Sequence, residues 1–141
     1  MKKKILFLTE ASNKIGNGHL SRCLALSGFL KVRYKIFFIS KYNLKEVLPK
    51  SFKTIDFNSV RYDYFDAVII DLKFIGKDYQ KKINELKIKN KIIISDKLYE
   101  KLKPSLTIIP YLNNINTNKK QKVTSGLDSL VLNKKLISIA K

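Results

Sequence analysis

The stretch Ile15-Gly16-Asn17-Gly18-His19-Leu20-Ser21-Arg22-Cys23 gathers most of the chemical capacity of this chain. It holds the single histidine, the single cysteine and two of the five glycines. Glycines at the front of a helix let backbone N–H groups approach an anion closely, and the helix N-terminus adds a partial positive charge. The spacing is neither the GxGxxG fingerprint nor a P-loop. Gly16, Asn17 and Gly18 are therefore candidates for backbone contact with a ligand. His19 would sit in the first helical turn, where the dipole disfavours imidazolium and leaves neutral imidazole to take a proton from water. A capping or part-buried role is the commoner fate of a single histidine. One His and one Cys make a zinc site untenable, so neither metal nor cofactor is expected. Cys23 falls on an apolar stripe and reads as core.

These residues need a strand before them and a helix after them. Lys4–Thr9 is a near-continuous apolar run, as in a parallel strand covered on both faces. From Gly18 to Lys31, Leu20, Cys23, Leu24, Ser27 and Leu30 recur at helical spacing, with Leu26 and Phe29 widening the face. Asn17 is a suitable N-cap. Gly28 inside the helix suggests close packing on a sheet. Further strands are expected at 35–40, 54–57, 66–71, 91–95 and 106–109, a helical turn at 44–48 and a second helix at 78–89. In that helix Tyr79, Ile83, Leu86 and Asn90 would share a face. Strands alternating with helices over connections too long for hairpins predict an α/β, Rossmann-like, doubly wound parallel sheet with helices on both faces. Ligands bind such sheets at the C-terminal strand ends. Glu10, Asp71 and Asp96 all fall there. Asp71 and Asp96 could bind a ligand or cap the segments that follow them.

At 141 residues the chain can bury one ordinary core. The charge of +18 invites a nucleic-acid reading. Against it, the basic residues are nearly all Lys, with Arg only at 22, 33 and 61, and they are spread along the whole chain. One Cys suits a reducing compartment. The apolar run behind MKKK is too short for a signal peptide and no stretch reaches the roughly 18–20 residues of a membrane span, so a cytoplasmic protein without membrane insertion is expected.

The segment EASNKIGNGHLSRCLALSGFL resembles the N-terminal signature of the bacterial UDP-2,4-diacetamido-2,4,6-trideoxy-β-L-altropyranose hydrolases of pseudaminic acid biosynthesis. It is also similar to spore-coat polysaccharide glycosyltransferase-like proteins. Ile15, Gly16, Gly18, His19, Arg22, Cys23 and Leu26 match the pattern, Ser12 fits its upstream serine, and Glu10 stands where an aspartate is usual. DAVIIDLKFIGKDYQKKINELKIKNKIIISDKLYE resembles the family's next strand–Asp–helix–strand–Asp segment through Asp71 and Asp96. Lys73 stands where the family often has an aromatic. The resemblance implies one half of a GT-B fold and hydrolysis of the sugar–UDP bond. It implies His19 as general base, with Gly16, Asn17, Gly18, Arg22, Asp71 and Asp96 toward a UDP-sugar substrate. Arg22 could instead brace its helix against an acid. It covers roughly residues 4–112. The expectation is a Rossmann-like N-terminal domain over 1–112 and a linker or inter-domain tail over 113–141, with a turn at Ser125-Gly126. On this resemblance the C-terminal nucleotide-binding domain is expected to be absent, as in a truncated or split enzyme that draws on a separate C-terminal chain. A non-enzymatic partner domain is the alternative, and a basic nucleic-acid-binding protein the more distant one.

Overall fold

A computed structural model describes residues 2–58, 64–110 and 122–125. The elements run β1 (Lys4–Thr9), α1 (Gly18–Leu30), β2 (Lys35–Ser40), β3 (Lys53–Asp56), β4 (Ala67–Asp71), α2 (Lys77–Glu85), β5 (Asn90–Ile94), a 3-10 turn (Glu100–Leu102), β6 (Leu106–Ile109) and β7 (Val123–Ser125). All seven strands form one parallel sheet in the order β3-β2-β1-β4-β5-β6-β7. This is the expected Rossmann-like α/β sheet. Val123–Ser125 lies within the stretch expected as a tail, beyond residue 112, and pairs in parallel with β6. The turn expected at Ser125-Gly126 and the residues after it lie outside the described residues.

The central strands β1, β2, β4 and β5 are apolar on both faces because helices cover both. Ile5 and Phe7 point to the face where Leu20 and Cys23 of α1 pack, with Ile36, Phe38 and Ile69. Leu6 and Leu8 point to the opposite face, with Val68, Ile70 and Ile93, where Tyr79 and Ile83 of α2 pack. Period-two alternation thus divides β1, β2, β4 and β5 between two cores. Phe7 and Phe38 stack across neighbouring strands, with centroids 5.1 Å apart.

Four local expectations are corrected. Asn17 occupies the N-cap position, but its side chain makes no capping hydrogen bond; only its carbonyl accepts, from Ser21 N–H at 2.8 Å. Gly28 packs against nothing, since a Cβ there would meet no atom within 4 Å. The small residue against the sheet is Ser27, fully buried, whose hydroxyl donates back to the Leu24 carbonyl. Phe29 is half exposed. Finally, α2 stops at Glu85 rather than 89. Leu86 and Ile88 are buried from non-helical backbone, and Asn90 opens β5. The burial spacing from Leu86 to Ile88 is that of a strand, so the chain leaves the helix while still filling the core. Among the described residues no helix is long and apolar enough to cross a membrane.

Candidate functional site

The chain runs outward from β1 to β2 and β3, then returns to lay β4 on the other side of β1. The loops leaving β1 and β4 therefore depart on opposite sides and leave a crevice at the C-terminal ends of these strands. This switch point is where open α/β sheets bind ligands. The register pairs Thr9 with Asp71 and Asp71 with Ile94, so the last residue of β4 is central to this edge.

The loop from Glu10 to Asn17 is shaped by two devices. The Ser12 carbonyl accepts from the N–H groups of Ile15 and Gly16, at 3.2 and 2.7 Å, and the Ser12 hydroxyl accepts from Ile15 N–H. That turn drives Gly16 to φ +81°, a conformation that L side chains rarely adopt. Glu10, nearly buried, accepts the Lys73 backbone N–H at 2.8 Å. It thereby ties the loop after β1 to the loop after β4. Sequence reasoning placed Glu10 on this edge but not this staple, because the partner is a backbone group 63 residues away.

At the start of α1, His19 and Arg22 lie one turn apart and both reach Asp71. His19 Nδ1 is 2.7 Å from Asp71 Oδ1. Arg22 Nη2 donates to the same oxygen at 2.7 Å, and Arg22 Nε donates to Oδ2 at 2.9 Å. Asp71 is fully buried, whereas the side chains of His19 and Arg22 keep 20% and 18% of their exposure. A buried carboxylate is tolerable only when paired and hydrogen-bonded, and the two-pronged guanidinium supplies both.

The contact also assigns the imidazole proton. A carboxylate oxygen 2.7 Å from Nδ1 requires a hydrogen between them, and the carboxylate has none to give. Nδ1 therefore donates to Asp71, and whenever the ring is neutral the lone pair is on Nε2. Arg22 Nη2 stands 3.0 Å from Nδ1. With both nitrogens donating, this is two donors converging on Oδ1 rather than a bond between them.

A cavity of about 240 Å³ opens beside this cluster, lined by His19, Arg22, Leu72, Lys73, Ile94, Ser95, Asp96 and Pro110. The structure thus brings His19, Arg22 and Asp96 to one space. Asp71 lies behind it, both oxygens engaged. It caps no helix, because α2 begins six residues later with Gly76 at its N-cap. Gly16, Asn17 and Gly18 are exposed but do not line the cavity. The front of Gly18 is open, with no atom within 4 Å of where a Cβ would stand. Lys73 and Ser95 are additions from the fold. They could have been found from their positions two residues after β4 and directly after β5. Ser95 Oγ accepts from Lys97 N–H and lies 3.5 Å from Asp96 Oδ1. Cys23 is wholly buried next in line behind the cluster. Burial, and then the Asp71 carboxylate, push its thiol well above the ordinary range. No group of three or more His, Cys, Asp or Glu side chains suited to a metal ion occurs among the described residues.

No family model matches the chain, and no curated protein matches it. Among solved structures it is similar to the crystal structure of RSP, a Rex-family repressor, with 12% identity and a TM-score of 0.48. The match covers 99% of this chain and 58% of that one, so the chain spans less than two thirds of that structure.

Proposed function

We propose that the chain acts on a UDP-sugar, as a hydrolase or glycosyltransferase-like protein of nucleotide-sugar or surface-polysaccharide biosynthesis, with His19 as general base. The observation that carries this reading is the His19–Asp71 contact at the mouth of a switch-point cavity. It presents a basic Nε2 with its tautomer fixed from behind, the arrangement general-base catalysis needs. In the hydrolytic reaction, water attacks the anomeric carbon as its proton passes to Nε2. The bond from that carbon to the diphosphate oxygen breaks, and the electron pair leaves with UDP. The imidazolium so formed faces Asp71, whose carboxylate is already in place. Asp71 and Arg22 are positioning residues in this scheme, and Lys73 supplies an ammonium beside the cavity for an anionic leaving group. Asp96 and Ser95 would meet sugar hydroxyls or amides. A separate nucleotide-binding chain would complete the grip on UDP.

The test is release of UDP from a panel of UDP-sugars, diacetamido-trideoxy sugars among them, by the purified chain with and without such a chain. His19→Ala is expected to lower the rate by roughly 10²–10⁴-fold, the usual worth of a positioned base. Release at an unchanged rate by His19→Ala sinks the assignment.

A further inference from the structure

The opposite edge of the sheet carries a second cleft that the proposed reaction does not use. It has a volume of about 480 Å³ and lies at the N-terminal ends of β1, β2 and β3. Lys4, Lys31, Lys35 and Lys53 line it, with Tyr34, Phe37, Phe52 and Tyr64 among its aromatic walls. Among the described residues, no carboxylate lines it. The nearby Asp66 carboxylate accepts the Lys4 backbone N–H at 2.7 Å.

Register explains why the lysines converge. Lys4 pairs with Lys35 across β1 and β2, and Phe37 pairs with Lys53 across β2 and β3. Three strands that start with lysine thus gather their ammonium groups at one rim. Like charges at this spacing repel, and a fold gains nothing from assembling them. Lys31 has a local reason for its place, at the C-cap of α1, where a cation complements the helix dipole. Lys4 has the Tyr64 ring beneath it, but among the described residues Lys35 and Lys53 have no ion-pair partner. Their combined field is felt at Tyr64, which is exposed and lies under the Lys4 ammonium. A hydrogen bond from Lys4, the Lys4 charge, and then the charges of Lys35 and Lys53 hold its phenol below the usual range.

We propose that this cleft binds a phosphate-bearing ligand, its oxyanions held by Lys4, Lys35 and Lys53 and its body resting on the tyrosine and phenylalanine rings. The chemistry is that of adjacent phosphate groups, free in solution or at the surface of an anionic lipid bilayer. The cleft is remote from His19, so this inference stands or falls independently of the catalytic reading.

Pyrophosphate titrated into the full chain is the direct probe, followed by calorimetry. Lys35→Gln/Lys53→Gln is compared with Lys77→Gln/Lys81→Gln, which removes the same charge from the exposed face of α2. The expected result is affinity weakened roughly tenfold or more by the first pair and little changed by the second. Equal weakening by both pairs would mean diffuse attraction to a basic protein and would overturn the site, as would no binding at all. Phosphatidylcholine vesicles with and without phosphatidylglycerol separate the two sources. Vesicle binding that needs phosphatidylglycerol and is lost in Lys35→Gln/Lys53→Gln assigns a lipid headgroup. Pyrophosphate binding without vesicle binding assigns a soluble phosphate. Because all four substituted lysines are exposed, folding is retained and is checked by circular dichroism.

Discussion

Asp71 carries more of the site than any residue that faces the cavity. It is buried, fixes the His19 proton and neutralises Arg22. Removing the carboxylate leaves a guanidinium in a part-buried position with its main partner gone. Asp71→Ala is therefore expected to cost about 3–5 kcal/mol, measured by urea unfolding. Arg22→Lys should also be costly, because one ammonium cannot span both carboxylate oxygens. A loss below ~1 kcal/mol in either variant would show that the cluster is dispensable to the fold. The neighbouring Cys23 is expected to resist thiol reagents in the native chain and to react only at the rate of global opening, since the thiolate is the nucleophile and burial opposes it. Tyr79 gives a pH signature. Its hydroxyl is buried with no hydrogen-bond partner among the described residues. Burial, then Glu10 and Tyr42, raise its phenol above the ordinary value of 10.0, and an approach to the Lys41 backbone offsets part of this. The folded chain thus favours the neutral phenol. The resulting stability is complete below pH 10 and is lost as pH rises from there toward the raised folded value. Tyr79→Phe should leave stability at pH 7 within roughly 1 kcal/mol of the parent and flatten the alkaline loss. Thermal unfolding from pH 7 to 11 checks both.

The elements β1 and α1 show where sequence reading succeeds and where it stops. The bounds of β1, β2 and β6 follow from apolar runs because a strand covered on both faces admits little else. Placing Asp71 on the same edge as His19 also follows, since strand polarity in a parallel sheet dictates it. The meeting of their side chains does not. It depends on the order in which strands join the sheet, and no local spacing encodes β4 beside β1 rather than β3. The three glycines of this region separate in the same way. Gly16 is required by its left-handed backbone, so Gly16→Ala should cost about 1–2 kcal/mol. In the sequence Gly28 suggests close packing on the sheet, yet open space surrounds it. Gly28→Ala is expected to stabilise the chain by up to ~1 kcal/mol, as a simple gain in helix propensity. Gly18→Ala should leave stability intact while placing a methyl where a ligand would approach the helix N-terminus. Urea midpoints of the three variants rank them, and a destabilised Gly28→Ala would contradict the open environment.

At the scale of the whole molecule, charge is the dominant unspent force. A chain with 29 Lys and Arg against 11 Asp and Glu folds against its own repulsion. The ion pairs that added salt would weaken are either exposed, as Lys41–Asp78 is at 3.6 Å, or sheltered, as at Asp71. Exposed pairs are worth at most ~1 kcal/mol each, and sheltered ones are screened far less. The repulsion, by contrast, acts between many lysines over distances that shrink below relevance once the Debye length falls from about 30 Å at 0.01 M to about 8 Å at 0.15 M. The melting temperature should therefore rise as sodium chloride is raised across that range and level off beyond it. A melting temperature that falls with salt would mean that attractive pairs outweigh the excess positive charge. The same titration separates general screening from a specific site. If the lysine cleft at the N-terminal edge binds phosphate groups, pyrophosphate should stabilise the chain beyond sodium chloride of equal ionic strength, by RT ln(1 + L/Kd), where L is its free concentration. That surplus should vanish in Lys35→Gln/Lys53→Gln while the response to sodium chloride persists.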